Sequence, residues 1–200
     1  MHSRPSKGSW FIALGASGAE GLCDLMTVLQ ALPPALPAVV LVVLHRPWRG
    51  QTHLRSVLAR STSLPVVVAS EGERFKIGHT YIGTPQDHLS LARQSFGALI
   101  PDPHRVHGNR TIDLLFNSVA AHAGSCGIGI VLSGSMDDGS RGLAAIHHAG
   151  GVTMVVTPTG SPSRGMPENA ISYDGAVSFV GSASEIGRDV SLRTARPISL

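Results

Sequence analysis

The feature of this sequence that most limits its fold is the alternation of short apolar segments with amphipathic ones. The first apolar segment, residues 10–14, leads through a glycine-rich turn into a segment whose apolar positions are Leu22, Leu25, Met26 and Leu29. These positions are spaced i, i+3, i+4 and i+7, which predicts a helix with one buried face. A strand followed by such a helix is the first half of a βαβ unit.

The second apolar segment, residues 38–44, is hydrophobic at every position. This pattern is typical of a strand in a parallel sheet that helices cover on both faces. Further strands are predicted at 65–69, 127–132 and 152–156, and further helices at 51–60, from 112 onward, at 140–149 and at 185–192. The alternation predicts an α/β domain with a doubly wound, mostly parallel sheet and helices on both faces.

Residues 71–103 interrupt this alternation with extended pieces punctuated by glycine and proline. The pieces are 80–84, 88–93 and 97–100. They predict antiparallel hairpins inserted at a sheet edge. We expect one domain over residues 9–192, with flexible termini at 1–8 and 193–200.

Composition excludes several classes of protein. Hydrophobic residues are 42 % and charged residues 14 % of the chain, the opposite of a disordered sequence. The apolar run 38–44 is far shorter than the ~20 residues of a membrane span, so no membrane insertion is expected. The arginines are scattered and aromatic residues are only 4 %, which argues against nucleic-acid binding. Cys23 and Cys126 are expected to be reduced core residues of a cytoplasmic protein.

Polar residues follow three of the predicted strands, where open α/β sheets bind their ligands. Ser17 stands among Gly15, Ala16, Gly18 and Ala19, close to the pattern of a nucleophile elbow, although a serine that caps a helix is the commoner meaning. His45 ends the second strand, as a general base or as a satisfied core histidine. The carboxylates of Asp137 and Asp138 follow the strand 127–132 and are able to orient a histidine, bind a metal or cap a helix.

Together these residues place serine, histidine and aspartate at the carboxyl ends of three strands, as a catalytic triad requires. A dinucleotide site at Gly15, Gly18 and Gly21, with Arg46 on a 2′-phosphate, is the rival interpretation. Its spacing is not G-x-G-x-x-G, and neither lysine stands in a Walker A motif. The residues favour a serine hydrolase that needs neither cofactor nor metal.

The chain also resembles a known family, the catalytic domain of the bacterial chemotaxis protein-glutamate methylesterase. The resemblance runs from about residue 10 to 189 through an ordered series of motifs. They are Gly15-Ala16-Ser17, Leu44-His45-x-Pro47, Glu71-Gly72, Gly78-x-x-Tyr81-Ile82-x-x-Pro85, Ile112-Asp113-x-Leu115-Phe116-x-Ser118-Val119-Ala120, Leu132-Ser133-Gly134-x-x-x-Asp138-Gly139 and Gly165-Met166-Pro167.

The resemblance implies a role for each matching residue. Ser17 is expected to be the nucleophile, His45 its general base and Asp138 the group that holds the imidazole. The backbone N–H groups of Gly18 and Ser135 are expected to form the oxyanion hole. Substrate contacts are expected from Arg46, Asn109, Arg110 and Met166.

The implied reaction is the hydrolysis of glutamate methyl esters on the cytoplasmic helices of chemoreceptors, with deamidation of glutamine as a second activity. The family typically carries a receiver domain, whereas nine residues precede the first strand here, so the enzyme is expected either to be constitutively active or to be controlled by a separate partner such as a response regulator. Glu20 departs from the family pattern and places a charge near the site. An inactive docking module of the same fold and an esterase on a non-chemotaxis substrate are the alternatives.

Overall fold

A computed structural model describes residues 9–45, 53–84, 86–104, 106–108, 110–159, 165–175 and 177–196. The strands are β1 (Trp10–Ser17), β2 (Ala38–His45), β3 (Val66–Val68), β4 (Thr80–Ile82), β5 (Asp87–Leu91), β6 (Gly97–Pro101), β7 (Gly127–Val131), β8 (Val152–Val156) and β9 (Phe179–Gly181). The helices are α1 (Gly18–Gln30), α2 (Leu54–Ala59), α3 (Thr111–Ala123), α4 (Ser140–His148), α5 (Met166–Ser172) and α6 (Ala183–Thr194). Two 3₁₀ turns cover Arg93–Ser95 and Gly124–Cys126.

Seven strands form one sheet in the order β3-β4-β2-β1-β7-β8-β9, and every neighbouring pair in it is parallel. The chain starts at the centre with β1 and builds outward first on one side and then on the other. The strand order therefore reverses at β1, and a crevice forms at its carboxyl end, between its neighbours β2 and β7. The predicted fold class is confirmed.

Helices cover both faces of this sheet because the side chains of its central strands alternate between two cores. Ile12 and Leu14 of β1 belong to the core under α1, α2 and α6. Phe11 and Ala13 belong to the core under α3, α4 and α5. Burial on both faces explains why β1 and β2 read as continuous apolar runs in the sequence.

The expected antiparallel insertion is present, but it is smaller than the sequence suggests. β5 and β6 form an antiparallel pair from Asp87↔Pro101 to Leu91↔Gly97. The piece at 80–84 does not belong to it, because Thr80–Ile82 is β4, a parallel strand inserted between β3 and β2. All three residues of β4 are buried, so contacts with its two neighbours in the main sheet decided its place.

Two other expectations change in detail. α6 continues to Thr194, whose side chain is 2 % exposed and whose hydroxyl donates to the Val190 carbonyl at 2.9 Å, so ordered structure passes the expected boundary at residue 192. Cys23 is exposed, so its assignment to the core was wrong, whereas Cys126 is partly buried. Within the described ranges, no helix is both long enough and apolar enough to cross a membrane.

Candidate active site

Ser17 and His45 meet at the carboxyl edge of the sheet. They are the last pair in the register between β1 and β2. Ser17 is in an extended conformation, and its N–H donates to the carbonyl of Ser133 at 3.0 Å. It stands at the N-cap of α1, yet its hydroxyl does not cap that helix and makes no hydrogen bond to any residue that the structure describes. The hydroxyl therefore remains available for chemistry.

The turn after Ser17 depends on Gly18. Its φ of +72° lies in the left-handed region, which costs a residue with a side chain on the order of 1–2 kcal/mol. This turn lets α1 start immediately after β1 and leaves the Gly18 N–H in the first turn of the helix, where helix amides lack partners within the helix. The sequence signal for the turn, a small residue on each side of Ser17, thus has a structural basis.

His45 is paired with Asp138, which lies in the loop between β7 and α4. His45 Nε2 lies 2.7 Å from Asp138 Oδ2, and the two side chains are 21 % and 1 % exposed. The carboxylate also accepts from two backbone amides, Ile112 N at Oδ2 and Asp113 N at Oδ1, both at 2.9 Å. Because the carboxylate acts as acceptor throughout, we assign the proton to His45 Nε2. Nδ1 is then the basic nitrogen of the neutral ring.

The loop from Ser133 to Ser135 passes close beneath Ser17. A Cβ on Gly134 would lie 2.7 Å from Ser17 Cβ and 2.4 Å from Met166 Sδ, so only glycine fits between them. Met166 N donates to the Gly134 carbonyl at 2.8 Å, and Ser135 forms an isolated antiparallel bridge with Gly165. The start of α5 therefore holds this loop against the end of β1.

An open cleft of about 310 Å³ adjoins Ser17. Its walls include Gly18 and Ser135, the two residues whose amides were expected to bind an oxyanion, and two carboxylate side chains, Glu20 and Glu168. His45 and Asp138 are not among its described lining residues. Ser17 thus lines the cleft and is also the register partner of His45.

The four residues that were expected to contact the substrate differ in their position and exposure. Arg46 and Asn109 lie outside the described residues. Arg110 is exposed at the N-cap of α3. Met166 is 0 % exposed, so a direct contact between its side chain and a substrate does not fit the structure. Its thioether instead packs beneath Gly134, because residues 134 and 165–166 are hydrogen-bonded together.

Sequence reasoning missed the contacts and backbone geometry of several residues at this site and elsewhere. Asp113 accepts hydrogen bonds from the start of α4, and Met136 has a φ of +75° with its side chain 56 % exposed. A second buried pair joins His88 Nε2 to Asp102 Oδ2 at 2.9 Å, in and after the β5–β6 hairpin. Asp113 stands in the Ile112-Asp113 motif, but its hydrogen bonds and the His88–Asp102 pair join segments 14 or more positions apart, which no local pattern reveals. Across the described ranges, no group of three or more His, Cys, Asp or Glu side chains is arranged to hold a metal ion.

Fold and site together define an α/β protein with a serine and a His–Asp pair at the carboxyl edge of a parallel sheet. A family model described as CheB methylesterase matches residues 12–190, and the chain belongs to this family. Its structure is similar to the crystal structure of the CheB methylesterase catalytic domain of Thermotoga maritima. That likeness has a TM-score of 0.82 at 26 % identity and covers 92 % of this chain and 98 % of the other.

Curated relatives carry the name protein-glutamate methylesterase/protein-glutamine glutaminase. One from Yersinia pestis bv. Antiqua is 36 % identical over 167 residues, which are 82 % of this chain and 47 % of the relative. One from Salmonella typhimurium is 35 % identical over 182 residues, 90 % of this chain and 51 % of the relative. The chain therefore spans about half the length of the curated relatives it matches.

Proposed function

We propose that this protein is a serine hydrolase that removes methyl esters from glutamate side chains of chemoreceptors and deamidates glutamine at such positions. The observation that carries the proposal is the partly buried hydrogen bond between His45 and Asp138, with Ser17 as the register partner of His45 and with no described residue hydrogen-bonded to the Ser17 hydroxyl. The names of the curated relatives support the substrate class. We place the reaction in the cytoplasm, on the cytoplasmic helices of the receptors.

In the proposed first half-reaction, Ser17 Oγ attacks the ester carbonyl carbon and its proton passes to His45 Nδ1. The resulting imidazolium keeps its Nε2–H on Asp138, which stabilises the new positive charge. The carbonyl oxygen becomes an oxyanion, for which the amides of Gly18 and Ser135 on the cleft wall are the proposed donors. Collapse of the tetrahedral intermediate breaks the bond to methoxide, which leaves as methanol with the proton from His45.

In the proposed second half-reaction, water attacks the acyl-enzyme and gives its proton to His45 Nδ1. Breaking the bond to Ser17 Oγ then releases glutamate and returns the proton to the serine. A glutamine side chain would enter the same acyl-enzyme with ammonia as the leaving group. No cofactor or metal is needed for either step. Constitutive activity and control by a separate response regulator both stay predictions.

The first experiment tests for an active serine. The protein is treated with a fluorophosphonate probe beside Ser17→Ala and a control, Ser56→Ala, at an exposed serine of α2. We expect labelling of the wild type and of S56A and none of S17A. Absence of labelling in the folded wild type would favour the docking module over the enzyme.

The second experiment tests the substrate. Receptor cytoplasmic fragments carrying radiolabelled methyl groups are incubated with the wild type and with S17A, and volatile methanol is measured. We expect release by the wild type alone. An enzyme that reacts with the probe but releases no methanol from receptors would be an esterase for another substrate.

A further inference from the structure

Two buried aspartates, Asp113 and Asp138, cap each other's helices. Asp138, just before α4, accepts from Ile112 N and Asp113 N in the first turn of α3, each at 2.9 Å. Asp113, in the first turn of α3, accepts through Oδ1 from Gly139 N at 3.0 Å and Gly142 N at 2.8 Å at the start of α4. Four hydrogen bonds thus link the two helix N-termini reciprocally.

This arrangement buries two like charges close together. Asp113 is 6 % exposed and Asp138 is 2 % exposed. Burial raises the pKa of the Asp113 carboxyl above its usual range; the hydrogen bond from Gly142 acts against this rise, and the charge of Asp138 adds to it. The positive ends of two helices, and the cation of Arg141, offset part of this cost. A protein that needed only two helix caps could use serine or threonine, which bring no buried charge.

The packing around the pair leaves little freedom for α4 to move against α3. A Cβ on Gly142 would lie 2.5 Å from Phe116 Cβ and 3.0 Å from the Asp113 carbonyl oxygen. Gly139 has a φ of +98°, and a Cβ there would lie 2.9 Å from Ile112 Cγ2. The backbone that follows Asp138 is therefore packed closely against the first two turns of α3.

We propose that Asp113 is a positioning residue for the His45–Asp138 pair. Its carboxylate holds the amides of Gly139 and Gly142, its own N–H holds Asp138 Oδ1, and Asp138 in turn holds the imidazole through Oδ2. The inference rests on the proposed function, because the pair matters for catalysis only if His45 is the base. Asp113 makes no contact with His45 among the hydrogen bonds of the described residues, so it acts through Asp138.

Two substitutions separate positioning from other roles. Asp113→Asn keeps an oxygen that is able to accept from both amides, because Oδ1 alone receives both bonds. Asp113→Ala removes the acceptor. Val190→Ala is the control for lost stability, because Val190 is fully buried in α6 on the opposite face of the sheet. All variants are compared at a temperature well below their unfolding midpoints.

We expect D113A to lower kcat by about 10- to 100-fold, by analogy with groups that orient metal-binding histidines, with little change in KM. The kcat of D113N should remain within roughly threefold of the wild-type value. Its amide oxygen accepts the same two hydrogen bonds, although a neutral acceptor is weaker than a charged one. V190A should lose stability and keep its kcat. The same kcat in D113A as in V190A, or an equal loss in D113A and D113N, would overturn the proposal.

A second readout does not depend on turnover. The Nε2–H proton of His45, assigned with His45→Gln, is followed by NMR in each variant. We expect its hydrogen-bonded resonance in the wild type and D113N and its loss or upfield shift in D113A; an unchanged resonance in D113A counts against the proposal.

If D113A does not fold, it is replaced by Asp113→Ser. Serine keeps an acceptor on a shorter side chain, so the expected change is smaller. A wild type that shows the resonance but no reaction with the fluorophosphonate would refute the enzyme activity and leave the positioning intact.

Discussion

His45 and Asp138 are separated by 93 positions in the chain, yet His45 Nε2 lies 2.7 Å from Asp138 Oδ2. The contact joins the carboxyl end of β2 to the loop after β7, two strands that flank β1 in the sheet. The parallel sheet therefore brings together a histidine and a carboxylate from strands on opposite sides of β1, the strand that ends in Ser17.

Asp138→Asn should remove activity and also weaken the fold. Both carboxylate oxygens receive donors, so one N–H or imidazole proton must face the new NH₂ group. We expect a loss in kcat on the order of 10³- to 10⁴-fold, comparable to the same change in a serine protease triad. One unpaired buried donor should cost about 1–3 kcal/mol of unfolding free energy. Methanol release and urea unfolding measure the two effects, and a D138N protein with wild-type stability would contradict the hydrogen-bond assignment.

Gly134→Ala should disturb the nucleophile directly. A Cβ at residue 134 would lie 2.7 Å from Ser17 Cβ and 2.4 Å from Sδ of the fully buried Met166. A displacement of Ser17 by about 1 Å should cost about 100-fold in kcat. Steady-state kinetics and the rate of fluorophosphonate labelling should fall together. Labelling at the wild-type rate would mean that the loop moves instead of the serine.

Glu20→Gln should increase activity. Glu20 lines the cleft beside Ser17, where its negative charge raises the free energy of an oxyanion forming nearby. Because the side chain is exposed, the gain should be about two- to fivefold at low salt and smaller at high salt. The measurement compares kcat/KM of both proteins at two ionic strengths. A difference that does not depend on salt would assign the effect to shape and not to charge.

Met136→Gly should stabilise the protein. Met136 has a φ of +75° without being glycine, and its side chain is 56 % exposed, so little burial is lost with it. Relief of the left-handed strain should raise the unfolding free energy by about 1 kcal/mol. Gly139→Ala is the comparison variant and should destabilise the protein. Alanine there would have to adopt a φ of +98° and would clash with the side chain of Ile112. Denaturant unfolding should shift in opposite directions for the two variants, and equal shifts would contradict the strain argument.

The ionised carboxylate of Asp102 should stabilise the folded protein near neutral pH, and this contribution should be lost in acid. Its burial alone would raise its pKa, but hydrogen bonds from His88, His107 and Val106 outweigh that effect and lower the pKa of Asp102 to about 2. A lowered pKa in the folded state means that the contribution is complete above the unfolded value of 3.8 and disappears as the pH falls toward 2. Thermal unfolding of Asp102→Asn should therefore depend less on pH between 4 and 2 than that of the wild type. Asp174→Asn, at an exposed aspartate, is the control and should follow the wild-type curve.

Much of the fold could be read from local patterns. The apolar runs at 10–14 and 38–44 predict buried strands because a strand covered on both faces has to be apolar throughout. The positions of Ser17 and His45 follow from the same runs, since the first polar residues after such strands lie at the carboxyl edge. The motifs around them were also sufficient to indicate the family.

The remaining features depend on contacts between distant segments. Thr80–Ile82 became a parallel strand because β2 and β3 offered free backbone partners on both sides, which no local signal in 71–103 reveals. Met166 is buried because Gly134 leaves room for its thioether.

The sequence by itself determined the α/β alternation and the placing of a serine and a histidine at the ends of neighbouring strands, because both follow from hydrophobic patterns along short segments. The residue patterns alone left Asp137 and Asp138 as alternatives, and the family resemblance pointed to Asp138. Only the tertiary structure shows the contact of Asp138 with His45, and that Asp113 and Asp138 cap each other's helices. The physical reason is that hydrogen bonds between helix N-termini and side chains depend on how α3 and α4 pack, and that packing brings together residues about 25 positions apart in the chain.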